Sequence, residues 1–184
     1  MSFSFSITYP FKIGEEVPSF DNLKATDGKT YSLSTFKDKQ ILVLIFMANR
    51  CPTARVYTDR MKAIQNDYLE RGVQLLGINS DNQYFFAPES FSKMVEVVEE
   101  RQLNFPYVKD EDQSVAKKYG ALVTLHAFVI DKDRKLRYRG RIDDSRDPQR
   151  VTTSDLRNAL DDLFANRAVR VPETRPFACT LEYI

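Results

Sequence analysis

The chain has 184 residues with 27 Lys and Arg against 26 Asp and Glu, a formal net charge of +1. That balance gives no bulk electrostatic reason to bind nucleic acid or an acidic membrane, and the length suits one domain, 1–184, with a full core. Two cysteines, Cys51 and Cys179, are too few for a disulfide scaffold, and with a single histidine they make no recognisable zinc site.

Residues 1–13 are aromatic and Ser-rich without a period and read as an extended arm lying on the body. They have no basic start and no continuous apolar segment, so no signal peptide is expected. Nothing approaches the roughly 20 apolar residues needed to span a bilayer, and a cytoplasmic protein is the expectation. Phe20–Thr26 and Lys29–Leu33 flank Asp27-Gly28, a strong hairpin signal. Ile41 to Met47 is an unbroken apolar run rich in strand formers, which predicts a strand buried on both faces.

Ala48, Asn49 and Arg50 break that run, and Cys51 stands directly before Pro52. Proline suits the first turn of a helix, where its missing N–H costs nothing. Apolar residues at Val56, Met61, Ile64, Tyr68 and Leu69 fit a helix with one buried face, stopped at Gly72. Cys51 is therefore expected at a strand-to-helix junction, where free N–H groups and the helix dipole favour the reactive thiolate. Arg50 and Arg55 flank it and are expected to add to that effect. The plainer reading is an inert, buried small hydrophobe.

Val73–Asn79 reads as a second buried strand, parallel to the first across the helix. Pro88 to Gln102 reads as a helix with Glu96, Glu99 and Glu100 on a solvated face. Asn104–Val108 follows as a short extended piece, then Asp112–Tyr119 as a short helix ended by Gly120. Ala127–Asp131 and Lys135–Arg141 form a hairpin, with Arg137, Arg139 and Arg141 on a solvated face. Ser154 caps the last helix, which runs to about Asn166 with Leu156, Leu160, Leu163 and Phe164 as its apolar stripe. A tail, 167–184, contains Pro172, Pro176 and Cys179. These elements together predict an α/β fold, a mixed sheet with helices on both faces and an N-terminal β-hairpin.

Over about Gly14 to Cys179 the chain resembles the thioredoxin-fold redoxins, which include peroxiredoxins and thiol–disulfide oxidoreductases. It is most similar to the bacterial and archaeal branch called thioredoxin family or peroxiredoxin-like. The carriers are GEEVPSF, ANRCPTA, NFPYVKDEDQSVAKKYGA, FVIDKDRKLRYRGRIDD and ETRPFACTLE. The resemblance implies a thioredoxin-like three-layer domain acting as a thiol-based oxidoreductase, with Cys51 as nucleophile toward a disulfide or a peroxide. It implies no metal or nucleotide cofactor. Recycling would come from a thioredoxin-like protein or a small thiol, and redoxins often dimerise.

Several positions depart from the family pattern. Ala54 stands where a thioredoxin-type dithiol has its second cysteine. A typical peroxiredoxin has Thr three residues and Pro seven residues before its reactive cysteine, whereas this chain has Ala48 and Leu44. Thr124-Leu125-His126 occupies the place of the thioredoxin cis-proline and falls near the peroxiredoxin arginine, with Leu125 at the key position. A cis bond before a non-proline residue costs about 2.5–4 kcal/mol, so trans geometry is expected there. These absences weaken the case for fast peroxidase chemistry and for substrate docking.

His126 either lies near Cys51 and accepts its proton or is satisfied by nearby backbone at a strand start. Cys179 either resolves an oxidised Cys51 or packs as a small residue anchoring the tail, because spacing does not fix their distance. The competing reading of the whole is a redox-silent thioredoxin-fold module that binds partner proteins.

Overall fold

Every residue of the apolar run Ile41–Met47 is buried, and the run sits inside a seven-stranded mixed sheet. The structure is a computed structural model that describes residues 6–184; residues 1–5 of the expected arm lie outside the described residues. In chain order the elements are β1 (Leu23–Ala25), β2 (Thr30–Tyr31), β3 (Ile41–Met47), α1 (Pro52–Tyr68), β4 (Val73–Asn79) and α2 (Phe91–Arg101). Then come β5 (Tyr107–Lys109), α3 (Ser114–Tyr119), β6 (Ala127–Asp131), β7 (Leu136–Gly140) and α4 (Asp155–Phe164).

The strand order is β2-β1-β5-β4-β3-β6-β7. β3 runs parallel to β4 through α1, as the strand–helix–strand pattern requires, and antiparallel to β6. The extended piece at 104–108 proves to be a sheet strand: β5 lies parallel to β4 and carries the N-terminal hairpin on its other side. Alternation along β3 divides the core. Val43, Ile45 and Met47 pack with Met61 and Ile64 of α1, Met94 of α2 and Leu160 of α4. Leu42, Leu44 and Phe46 face the other way, toward Val115 and Tyr119 of α3 and toward Phe11 and Phe20 of the N-terminal segment. These are two apolar layers on one pleated sheet.

Two expectations are corrected. Ser154 stands at the N-cap of α4 but makes no side-chain cap bond, because its backbone (φ −97°, ψ 75°) departs from the usual extended cap conformation. The arginines of β7 are not a solvated face. Arg139 is 3% exposed, stacks on the Tyr9 ring at 3.7 Å and donates to Phe11 O (2.5 Å) and Glu173 (2.9 Å). Arg137 and Arg141 pair with Asp131 and Asp155. The N-terminal segment and the tail cover Arg139, while Arg137 and Arg141 stay part-exposed, at 39% and 30% of their side chains, in ion pairs with carboxylates.

The tail crosses close to Gly140, where φ is +146° and a Cβ would collide with Thr174. Glycine is needed there for the conformation and for the approach. The chain then returns to the C-terminal end of β3.

Candidate functional site

β3 ends at Met47, three residues turn, and Cys51 takes the N-cap of α1 with Pro52 at the first helical position. The Cys51 sulfur accepts from Ala54 N–H at 3.5 Å, and the Thr124 hydroxyl lies 3.1 Å from it. Cys51 is 2% exposed. It is joined in a disulfide to Cys179, 128 residues later, with Cα atoms 6.0 Å apart. Cys51 is therefore one member of a pair, and its sulfur sits where a helix terminus stabilises negative charge.

The turn before Cys51 is held by a carboxylate that the sequence reading passed over. Glu89 is fully buried and accepts from Asn49 N–H (2.8 Å), Arg50 N–H (2.9 Å) and Asn79 Nδ2 (2.9 Å). Asn49 is further held by Tyr107 O–H, which donates to its Oδ1 (2.9 Å), and by Arg101, which donates to its carbonyl (2.9 Å). Lys109 closes the cluster, donating to Asn79 Oδ1, Asp81 O and Glu89 O. Burial lowers the Lys109 and Arg101 pKa values, against the opposing pull of nearby carboxylates. Glu89 carries no periodic or motif signal; only the fold brings it beneath residues 49 and 50.

Arg50 and Arg55 turn away from the sulfur. Arg50 stacks over Phe86 at 3.5 Å and faces Glu89 at 3.7 Å, and Arg55 pairs with Glu100 at 2.5 Å on the exposed surface. The polar groups that touch the sulfur are the Ala54 N–H at the helix end and the Thr124 hydroxyl.

On the opposite side of the sulfur lies Thr124-Leu125-His126. All peptide bonds among the described residues are trans, and Leu125 adopts φ +63°, a left-handed conformation unfavourable for a leucine. It is held by its N–H donating to Phe46 O at 2.6 Å and by a buried side chain. His126 is fully buried and spends both ring nitrogens away from Cys51. Nδ1 accepts from Leu122 N–H at 3.3 Å, so Nε2 carries the proton and faces the Tyr9 hydroxyl at 3.4 Å. Burial, then the nearby Arg139 charge, lowers its pKa to about 3. It is a neutral ring at physiological pH.

The tail completes the site. Thr124 N–H donates to Cys179 O (2.9 Å), Leu181 N–H donates to Leu122 O (3.1 Å), and Val123 and Thr180 form an antiparallel bridge. Among the described residues no group of His, Cys, Asp and Glu side chains gathers in a way that could hold a metal ion. No helix among them is long and apolar enough to cross a membrane.

A buried cysteine at a strand-to-helix N-cap, disulfide-bonded within a thioredoxin-like sheet, agrees with the comparison with known families: the AhpC/TSA family profile matches residues 13–139. The chain belongs to the AhpC/TSA family. It is 28% identical over 132 residues to the thiol-disulfide oxidoreductase ResA of Bacillus cereus, covering 72% of this chain and 71% of that one. It is 28% identical over 126 residues to the chloroplastic peroxiredoxin Q of Populus jackii, covering 65% and 55%. A hypothetical protein of Sinorhizobium meliloti 1021 has a solved structure similar to this fold, with TM-score 0.87 and 31% identity over 95% of this chain and 96% of that one. The AhpC/TSA match takes in Cys51, Glu89, Thr124, Leu125 and His126; Cys179 lies beyond its last residue.

Proposed function

We propose that this AhpC/TSA protein is a thiol-dependent oxidoreductase in which Cys51 attacks a disulfide or a peroxide and Cys179 resolves the product. The Cys51–Cys179 disulfide carries this reading, because a sulfur at a helix N-terminus is a good nucleophile and a good leaving group. With a disulfide substrate, the Cys51 thiolate attacks one sulfur and expels the other as a thiolate. The Cys179 thiolate then attacks the Cys51 sulfur, releases the second substrate thiol and closes the internal disulfide. With a peroxide, Cys51 takes one oxygen as a sulfenic acid and the other leaves as water or alcohol. Cys179 then displaces water to give the same disulfide.

An external dithiol of a thioredoxin-like protein, or two equivalents of a small thiol, returns both electrons. Its first thiolate meets Cys179, the less buried of the two sulfurs, and Cys51 departs as a thiolate stabilised by Ala54 N–H and Thr124. Disulfide exchange is the better-supported half of the proposal, since Arg50 and Arg55 are committed to Glu89 and Glu100 rather than to an oxygen at Cys51. In a cytoplasmic setting that thiol supply keeps the resting protein largely reduced.

Intact mass and free-thiol count test the cycle after reduction and one equivalent of hydrogen peroxide or of a disulfide. Wild type is expected to lose both thiols and two hydrogens, whereas Cys179→Ser stops at a Cys51 sulfenate or mixed disulfide. Survival of both thiols, with Cys51 no faster than a free cysteine, overturns the enzyme in favour of a redox-silent binding module.

A further inference from the structure

The tail is fastened on both sides of Cys179, and neither fastening passes through the disulfide. Upstream, Thr174 N–H donates to Arg139 O (3.1 Å), Thr174 Oγ1 accepts from Arg141 N–H (2.9 Å), and Glu173 pairs with the buried Arg139 (2.9 Å). Downstream, Leu181 is buried and the residues after it are gripped by one side chain, that of Gln113. Gln113 Nε2 donates to Glu182 O (2.6 Å), and Oε1 accepts from Ile184 N–H (3.0 Å). The Tyr183 hydroxyl adds a bond to Ala121 O.

Gln113 sits where a helix cap would be, yet it does not cap. It is 1% exposed, stands at the N-cap of α3 with φ +61°, and its side chain makes no bond to the helix. Asp110 does that work instead, accepting from Val115 N–H (3.1 Å), Ala116 N–H (3.0 Å) and the Ser80 hydroxyl (2.7 Å). The Gln113 amide is thereby released toward the tail, and its remaining hydrogen bond goes to Ser80 O at 2.8 Å. A buried amide on a left-handed backbone is a costly arrangement, and two of its three bonds are spent on residues 182–184.

We propose that Gln113 is a positioning residue for the resolving step. It latches residues 182–184 in the reduced protein as in the oxidised one. The seven residues 175–181 then open and close as a short loop pinned at both ends. A sulfur on such a loop meets its partner at high effective concentration, whereas one on a free tail is diluted through a larger volume. The main-chain bonds at 179–181 break to admit a substrate or a reductant, and the latch returns the same sulfur to Cys51. The inference rests on Cys179 being the resolving thiol and adds what keeps it within reach.

The probe is one equivalent of dithiobis(nitrobenzoate) added to reduced full-length protein. The Cys51 thiolate attacks one sulfur, expels a first yellow thionitrobenzoate and is left as a mixed disulfide. The Cys179 thiolate then attacks the Cys51 sulfur, expels the second thionitrobenzoate and closes the internal disulfide. Cys179→Ser, which gives the first release alone, assigns the two phases.

Gln113→Ala is expected to slow the second release about tenfold, the worth of two ordinary hydrogen bonds, and to leave the first within about twofold. Ile184→Pro removes one tail donor at an exposed position, spares the Gln113–Ser80 bond, and should slow the second release about threefold. The double variant should be no slower than Gln113→Ala, because both act on one contact. An unchanged second release in Ile184→Pro overturns the latch whatever Gln113→Ala does, as does equal slowing of both releases. A wild type that gives no second release sinks the resolving thiol itself, a result told apart from the others before any latch variant is made.

Discussion

Two pieces of chain meet Cys51, and they are held in contrary ways. The turn Ala48–Arg50 is held from inside: the Glu89 carboxylate accepts from the N–H groups of Asn49 and Arg50, Arg101 donates to the Asn49 carbonyl, and the Tyr107 phenol donates to the Asn49 side chain. The tail around Cys179 is held at its edge by main-chain bonds, one buried leucine and one reducible bond, and beyond them by the buried Gln113, which donates to Glu182 O (2.6 Å) and accepts from Ile184 N–H (3.0 Å). In this buried polar cluster a displaced group loses its partner without gaining water, and Arg101 already leaves Nε and Nη1 without one, so the arrangement has little freedom to change. A strand on an edge exchanges its bonds with solvent or another strand at little cost. The sulfur therefore sits between a fixed wall and an exchangeable one, the arrangement a thiol needs when one partner must stay aligned and the other must come and go.

The largest effect is expected from breaking the fixed wall. Glu89→Ala strips three donors of their acceptor in a buried site, and about 3–5 kcal/mol of stability should be lost in urea denaturation, in both oxidised and reduced protein. A loss below about 1 kcal/mol would mean the turn is held by something other than Glu89.

A smaller effect bears on the exchangeable wall through His126. Its folded pKa, about 3, lies below the ordinary value of 6.5, so the unfolded chain binds the proton first as pH falls. The stability contributed by the neutral ring is fully present above about pH 6.5 and is lost as pH drops toward the folded value, at most about 1.4 kcal/mol per pH unit. Protonation also removes the acceptor for Leu122 N–H, one residue before the bridge to Thr180. His126→Gln should flatten the slope of denaturation free energy between pH 6.5 and 4.5. An unchanged slope would assign the acid sensitivity elsewhere.

The smallest effect sharpens the comparison from outside. Arg55 is mostly exposed and paired with Glu100, so Arg55→Ala should cost no more than about 0.5 kcal/mol. Alkylation of reduced Cys51 across a pH series should give nearly the same midpoint as wild type. A rise of a full unit would return Arg55 to the list of groups that activate the thiol.

What could be read in the chain before its fold follows one rule: local signals were legible and converging ones were not. The apolar run 41–47, the Cys-Pro junction, Asp27-Gly28 and the stop at Gly120 are all short-range patterns, and each forms the element it predicts. Asn104–Val108 reads only as an extended piece, since a few residues cannot announce which strand they will pair with, and its end forms β5, Tyr107–Lys109, against β4. Arg137, Arg139 and Arg141 alternate as an exposed face would, yet the returning N-terminal segment and tail bury Arg139 among them.

By itself, then, the sequence determined a mixed α/β sheet and a cysteine at a strand-to-helix junction, because hydrophobic period, proline and glycine act over a few residues. The tertiary structure alone decided that Cys179 meets Cys51 across 128 residues, that Glu89 holds the turn before it, and that His126 serves Leu122 rather than the sulfur. Those contacts exist only once distant segments are packed together, and no spacing along the chain encodes the distance between them.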